Sequence, residues 1–219
     1  MTVAVVGANR GIGLEFCRQL SERGDDVIAF CRTSNAELES LSLQVIEGFD
    51  VLSDVWNLKT LIESTGKDFD QLIHVSGIYT SESLDDLDFD RIRTQFEVNS
   101  LGPLKVVSAF RSFMKNDAKV SLLTSRMGSI QDNDSGGMYG YRMSKSALNS
   151  AGKSLAIDLK KDGVTVLILH PGWVRTDMTN HNGLIDTNES VSGMLEIIDG
   201  STMDHSGQFF HTNGEVLSW

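Results

Sequence analysis

The chain is short of cysteine, of positive charge and of long apolar runs, and each shortage removes a class of protein. Cys17 and Cys31 are its only cysteines. Two thiols make no disulfide framework, and both fall inside apolar runs where a small buried thiol is expected. That favours a reducing cytosol, and a cytoplasmic protein is expected. Lys and Arg number 19 against 30 Asp and Glu, a net charge of −11. The surface as a whole therefore repels phosphate backbones and anionic lipid, so nucleic acid and membrane are poor partners. A local basic pocket for a small anion is still permitted. No apolar stretch approaches the ~20 residues that span a bilayer. The first residues read at once as a strand, with no basic region ahead of an apolar one, so no signal peptide is expected. The histidines His74, His170, His181, His205 and His211 show neither HExxH nor Cys-pair spacing, and no metal site is expected. No internal repeat, low-complexity tract or linker interrupts the sequence. Its 219 residues suit one domain with a sizeable core.

What the chain does contain is an ordered set of strand ends. Val3-Ala-Val-Val6 reads as a buried parallel strand. It enters Gly7-Ala-Asn-Arg-Gly11-Ile-Gly13, and an amphipathic helix follows over Leu14 to Arg23. Glycines let backbone approach a pyrophosphate, and a helix N-terminus offers free N–H groups to its charge. The spacing is G-x-x-x-G-x-G, and no Gly-Lys-Ser/Thr ending makes it a P-loop. Val27 to Cys31 is a second strand. No acid follows it to hold a ribose 2′-hydroxyl; Arg32 and Arg10 instead suit a 2′-phosphate, which favours NADP(H) over NAD(H). Either Arg could equally be a solvated loop residue.

The alternation continues with strands at Leu43–Glu47, Gln71–Val75, Val120–Leu123, Val164–Leu169 and Gln208–Phe210. Helices are expected at Asp54–Glu63, Arg91–Lys115 (irregular near Asn99 and Gly102-Pro103), Arg142–Lys160 and Glu189–Ile198. The acids Asp85, Asp86, Asp88 and Asp90 read as capping and solvation rather than a calcium loop. The pattern implies an α/β fold: one Rossmann-type doubly wound parallel sheet of about seven strands, flanked by helices on both faces. Ligands in such sheets lie beyond the carboxyl ends of the strands. That rule gathers Gly7–Gly13, Arg32, Asp50, Gly77, Ser125 and Pro171-Gly172 on one edge. Tyr141 and Lys145 are four apart on a helix, so their side chains share a face. A nearby ammonium pulls a phenol down towards neutrality, making the pair a proton-handling device.

These motifs in this order resemble the short-chain dehydrogenase/reductase family over nearly the whole chain. Gly-Met-Tyr-Gly-Tyr-Arg-Met-Ser-Lys and His-Pro-Gly-Trp-Val-Arg-Thr-Asp-Met resemble its sniffer and C-factor type of carbonyl reductase. The resemblance implies a catalytic tetrad of Asn99, Ser125, Tyr141 and Lys145. Cofactor contacts fall on Gly7, Asn9, Arg10, Gly11, Ile12, Gly13, Arg32, Asp50, Val51 and Gly77, then on Asn99, Tyr141, Lys145, Pro171, Gly172, Val174 and Thr176. It further implies NADPH-dependent hydride transfer to the carbonyl of a ketone, aldehyde or quinone. Tyr141 would donate the proton, Lys145 would lower its pKa, Ser125 would steady the substrate oxygen, and Asn99 would hold a relaying water.

Three departures accompany the resemblance. The family's Asn-Asn-Ala-Gly reads His74-Val75-Ser76-Gly77, and His74 is expected to be an ordinary satisfied histidine rather than a substitute for the missing amide. The gap between Ser125 and Tyr141 is long, which makes Ser129 a rival. The segment over about 178–200 is short, implying a small substrate lid. Trp173, Met127, Met138 and Met178 either line an apolar substrate pocket or merely pack. A small-molecule carbonyl substrate is the expected partner, and the chain is read as a monomer or a homodimer. A regulatory protein of the same fold, binding cofactor with little turnover, is the competing function.

Overall fold

All four apolar residues of the first strand, β1 (Thr2–Val6), are buried, Val3 and Val5 on one face and Ala4 and Val6 on the other. A strand covered on both sides needs a layer above and a layer below. The computed structural model, which describes residues 1–219, supplies both. Six more strands join β1 in one sheet: β2 (Asp26–Phe30), β3 (Gln44–Ile46), β4 (Phe69–His74), β5 (Met114–Leu123), β6 (Thr165–His170) and β7 (Phe209–His211). Their order is β3-β2-β1-β4-β5-β6-β7, and every adjacent pair is parallel. The doubly wound parallel sheet expected from the sequence is present.

The helices in chain order are α1 (Gly11–Glu22), α2 (Ala36–Ser40), α3 (Val55–Glu63), α4 (Phe89–Phe96), α5 (Gly102–Phe110), α6 (Tyr139–Asp158) and α7 (Thr187–Gly200). Helices α1 and α7 bury Phe16, Leu20, Val191 and Met194 against Val3 and Val5. Helices α3, α5 and α6 bury Leu58, Val106, Phe110 and Leu148 against Ala4 and Val6. Within that second layer Phe30, Phe49, Phe69 and Phe110 meet with ring centroids 4.9 to 6.3 Å apart. Edge-to-face pairs of this kind contribute roughly 0.5–1.5 kcal/mol each beyond their burial. They anchor the Phe49 turn, and so hold Asp50-Val51 at the sheet edge.

The structure departs from the expected elements where non-local pairing overrides local preference. The helix expected over Arg91–Lys115 is α4, a π-helical turn over Glu97–Leu101, and α5, which stops at Phe110. The irregularity falls at Asn99 and Gly102-Pro103, as read from the sequence, because Pro103 has no N–H to give the Asn99 carbonyl. Lys115 is not helical. Met114 pairs with Phe69, residues 115–118 bulge opposite Asp70, and Asp117 takes φ 62°. Lys115 Nζ lies 3.0 Å from the Asp70 carboxylate. Helix α6 begins at Tyr139 and ends at Asp158, with a 3₁₀ turn over Lys160–Asp162. Helix α2, capped by the Asn35 side chain, was not foreseen. The stretch expected as a lid divides in two: residues 180–186 are loop and turn, whereas α7 is a core helix tied down through Ser190 Oγ to the Pro171 carbonyl at 2.6 Å.

Candidate active site

A cleft of about 420 Å³ opens beyond the carboxyl ends of β1, β2, β4, β5 and β6. Its floor at one end is the glycine turn. Gly7 adopts φ 89° and Gly11 φ 51°, the left-handed region that glycine enters freely. A Cβ on Gly13 would stand 2.0 Å from the Gly7 carbonyl oxygen, so Gly13 lets α1 pack directly on the turn. Asn9 Nδ2 donates to the Thr33 carbonyl at 2.9 Å, tying this turn to the loop after β2. Arg10 and Arg32 both border the cleft. Neither makes an ion pair, whereas Arg18, Arg23, Arg91, Arg93, Arg111, Arg126 and Arg175 all do. Asp50 and Val51 line the neighbouring wall, with the Asp50 carboxylate accepting from Leu52 N at 3.0 Å.

At the other end, Tyr141, Lys145, Gly77, Pro171 and Thr176 share the same cleft. Lys145 is buried and donates one hydrogen bond, to the Leu123 carbonyl at 3.0 Å. Two of its N–H donors therefore have no protein partner. Burial pulls its pKa down to about 8. Its Nζ stands 5.8 Å from the centre of the Tyr141 ring. Burial pushes the Tyr141 hydroxyl up to about 12, with the Ser125 hydroxyl pulling the other way and Tyr79 adding to the rise. Part of the Tyr141 residue stays open to the cleft. The expected lowering of the phenol by Lys145 is not found: the ammonium is drawn to the Leu123 carbonyl, and burial dominates. Tyr79 meets Tyr141 edge to face, with centroids 5.1 Å apart.

Several expected site residues sit behind the cleft wall. The Asn99 side chain is fully buried; its Oδ1 accepts from Ile78 N at 2.8 Å, and its Nδ2 donates to the Ile78 carbonyl at 2.9 Å and to Ser144 Oγ at 3.0 Å. That amide is a clamp between the loop after β4 and α6, so it has no N–H left for a relaying water. Gly172 takes φ 84°, and a Cβ there would meet Ile185 Cδ1 at 2.8 Å. Val174 is buried and bridges to Ile185. Ser125 Oγ accepts from Met127 N at 3.1 Å and faces the phenol, though the two close no hydrogen bond of standard geometry. The rival, Ser129, likewise accepts through its Oγ, from Asp132 N at 3.1 Å. Met178 borders the cleft, Trp173 is half exposed, and Met127 and Met138 lie off its wall.

The family profile described as short chain dehydrogenase matches residues 1–184. The chain belongs to the short-chain dehydrogenase/reductase family. A relative from Rhodococcus sp. (strain AD45), 1-hydroxy-2-glutathionyl-2-methyl-3-butene dehydrogenase, is 43% identical over all of this chain and 99% of its own length. Carbonyl reductase Sniffer of D. melanogaster superposes with a TM-score of 0.93 at 26% identity, covering 100% of this chain and 99% of that one. The NADPH-bound carbonyl reductase from chicken fatty liver does so at 0.89 and 28%, covering 100% and 98%.

Within this short-chain dehydrogenase/reductase two features escaped the sequence reading. His74 is neither a substitute amide nor a satisfied histidine: it is buried with no hydrogen-bond partner at either ring nitrogen. Burial, with the Lys145 charge added, pulls its pKa down to about 3, so the ring is neutral. Glu82 is the second. The N-cap of α6, Met138, has φ 46° and no capping side chain. Buried Glu82 supplies the cap, its Oε2 accepting from Gly140 N at 3.1 Å while Oε1 accepts from Thr80 Oγ1 at 2.5 Å and Gln95 Nε2 at 2.9 Å. No local spacing announces that contact. The acids near Asp88 behave as read: Asp88 caps α4, accepting from Asp90 N and Arg91 N at 3.0 Å. No group of three or more His, Cys, Asp or Glu comes together as a metal site, and no helix is long and apolar enough to cross a membrane.

Proposed function

We propose that this short-chain dehydrogenase/reductase is an NADPH-dependent carbonyl reductase acting on ketones, aldehydes or quinones. The observation that carries the cofactor is the pair of unpaired guanidiniums, Arg10 and Arg32, at the end of a cleft whose glycine turn is shaped for backbone approach. Two free cations in a chain of net charge −11 support an anion as their partner, and a 2′-phosphate fits that place. The chicken relative, bound to NADPH, agrees with this reading.

When bound, reduced nicotinamide supplies the hydride. The residues of the chain supply the rest. Tyr141 is held protonated at neutral pH, as a donor to a developing alkoxide must be. Lys145 stands ready to stabilise the phenolate that forms, and its two free N–H donors suit a ribose hydroxyl. Ser125 steadies the carbonyl oxygen beside the phenol. Asn99 acts as a positioning residue, fixing α6 against the loop after β4. Cys31, Val75 and Thr124 complete the cleft wall. The name of the Rhodococcus relative implies alcohol oxidation for that protein, the reverse of the same hydride transfer; the carbonyl reductase neighbours support reduction here.

The test is steady loss of NADPH absorbance with a panel of ketones, aldehydes and quinones. Turnover with at least one class is expected. A protein that binds NADPH and is inert to all would support the regulatory reading.

A further inference from the structure

The loop after β2 carries no acid of its own, yet the fold delivers one from the next strand. Glu47 follows β3 directly, and the two chains are laced together: Cys31 N donates to the Ile46 carbonyl at 3.1 Å, Gly48 N to the Arg32 carbonyl at 3.0 Å and Phe49 N to the Cys31 carbonyl at 3.0 Å. From that position the Glu47 carboxylate accepts from the Ser34 N–H at 2.5 Å. Ser34 Oγ beside it is buried without a partner. Arg32 lies two residues away along the loop and forms no ion pair with Glu47. A carboxylate thus holds a backbone donor of the loop after β2, the loop that carries Arg32 to the cleft and the place where the 2′-substituent of an adenosine ribose belongs in such folds.

We propose that Glu47 is the specificity-determining acid of this cofactor site. Its carboxylate accepts a hydrogen bond from the 2′-hydroxyl of NAD(H), and the 2′-phosphate of NADP(H) must turn it out to reach the Ser34 N–H. A phosphate monoester carries between one and two negative charges near neutrality and cannot share a donor with a carboxylate without repulsion. Arg10 and Arg32 pull towards the phosphate, and Glu47 pulls towards the hydroxyl. The chain accordingly accepts both dinucleotides, and Glu47 sets the ratio between them. The proposal rests on reading the cleft as a dinucleotide site.

Isothermal titration calorimetry of the full chain and of Glu47→Gln, each with NADPH and with NADH, tests it. The amide keeps an acceptor for the Ser34 N–H, so the loop is preserved while the charge is lost. Both dinucleotides are expected to bind the unaltered chain. Glu47→Gln is expected to bind NADPH about tenfold more tightly and NADH several-fold more weakly. A ratio of dissociation constants that moves less than twofold overturns the role of Glu47 while leaving the dinucleotide site intact. Failure of the unaltered chain to bind either dinucleotide overturns the site reading and this proposal together.

Discussion

Lys145 Nζ lies 5.8 Å from the centre of the Tyr141 ring and spends its one hydrogen bond on the Leu123 carbonyl instead of the phenol. The two groups are neighbours on α6, but burial moves them in opposite directions, the phenol up to about 12 and the ammonium down to about 8. In the proposed mechanism the proton is stored on Tyr141, and the Lys145 charge lies beside the place where it would leave.

Tyr141→Phe removes that proton and keeps the shape of the ring. Carbonyl reduction is expected to fall by about 10²–10⁴, while calorimetric NADPH affinity stays within a few-fold of the unaltered chain. Turnover close to normal would mean that another group donates the proton.

The charge on Lys145 sets the alkaline limit. Lys145 stabilises the departing proton's phenolate only while protonated, so kcat/KM for reduction should be level below about pH 8 and decline as pH rises through that value. Lys145→Met, which has no charge to lose, should be slow and lack this limb. A profile flat to pH 10 in the unaltered protein would contradict the assignment.

Gly13→Ala places a methyl group 2.0 Å from the Gly7 carbonyl oxygen, a backbone atom that cannot swing away. A loss of about 3 kcal/mol is expected in urea unfolding, together with loss of dinucleotide binding. Gly200→Ala is the control, since nothing lies within 4 Å of that position, and its stability should change by no more than about 1 kcal/mol.

His74 is buried and His170 half-buried, and both are pulled down to about 3, first by desolvation. The unfolded chain takes up a proton on each near pH 6.5, whereas the folded chain resists until about pH 3. Stability is thus full above pH 6.5 and falls on acidification, at about 1.4 kcal/mol per pH unit for each ring. His74→Leu should remove one ring's share of that slope. At pH 7 it should be as stable as the original or more so, because two partnerless polar atoms leave the core. Urea unfolding between pH 4.5 and 7 reads both effects.

Glu82→Gln puts an NH₂ where a carboxylate oxygen now meets only donors, Gly140 N, Gln95 Nε2 and Thr80 Oγ1. A stability loss of about 1–3 kcal/mol is expected. Helix α6 should start less firmly, so kcat should fall more than dinucleotide affinity. Equal losses in both would make Glu82 a general support for the fold.

The sequence by itself determined whatever is written over a few neighbouring residues. Apolar runs ending in Gly7, Cys31, Ser76 and Ser125 announced strand ends, a glycine spacing announced the turn, and a four-residue step put Tyr141 and Lys145 on one face. The topology rule then placed them on a common edge, because parallel strands must all point their carboxyl ends the same way. Tertiary structure alone decided the rest. Lys115 lies in good helix-forming sequence and yet bulges out of a strand, since the pairing of Met114 with Phe69 and of Lys119 with Gln71 outweighs a weak local preference. The Asn99 amide became a clamp, Glu82 capped a helix far along the chain, and Glu47 reached Ser34, because each hydrogen bond forms only after distant segments are packed side by side. Solvation is equally non-local. No spacing states that His74 will be sealed from water or that Tyr141 will be partly withdrawn from it, and burial moves the pKa of both.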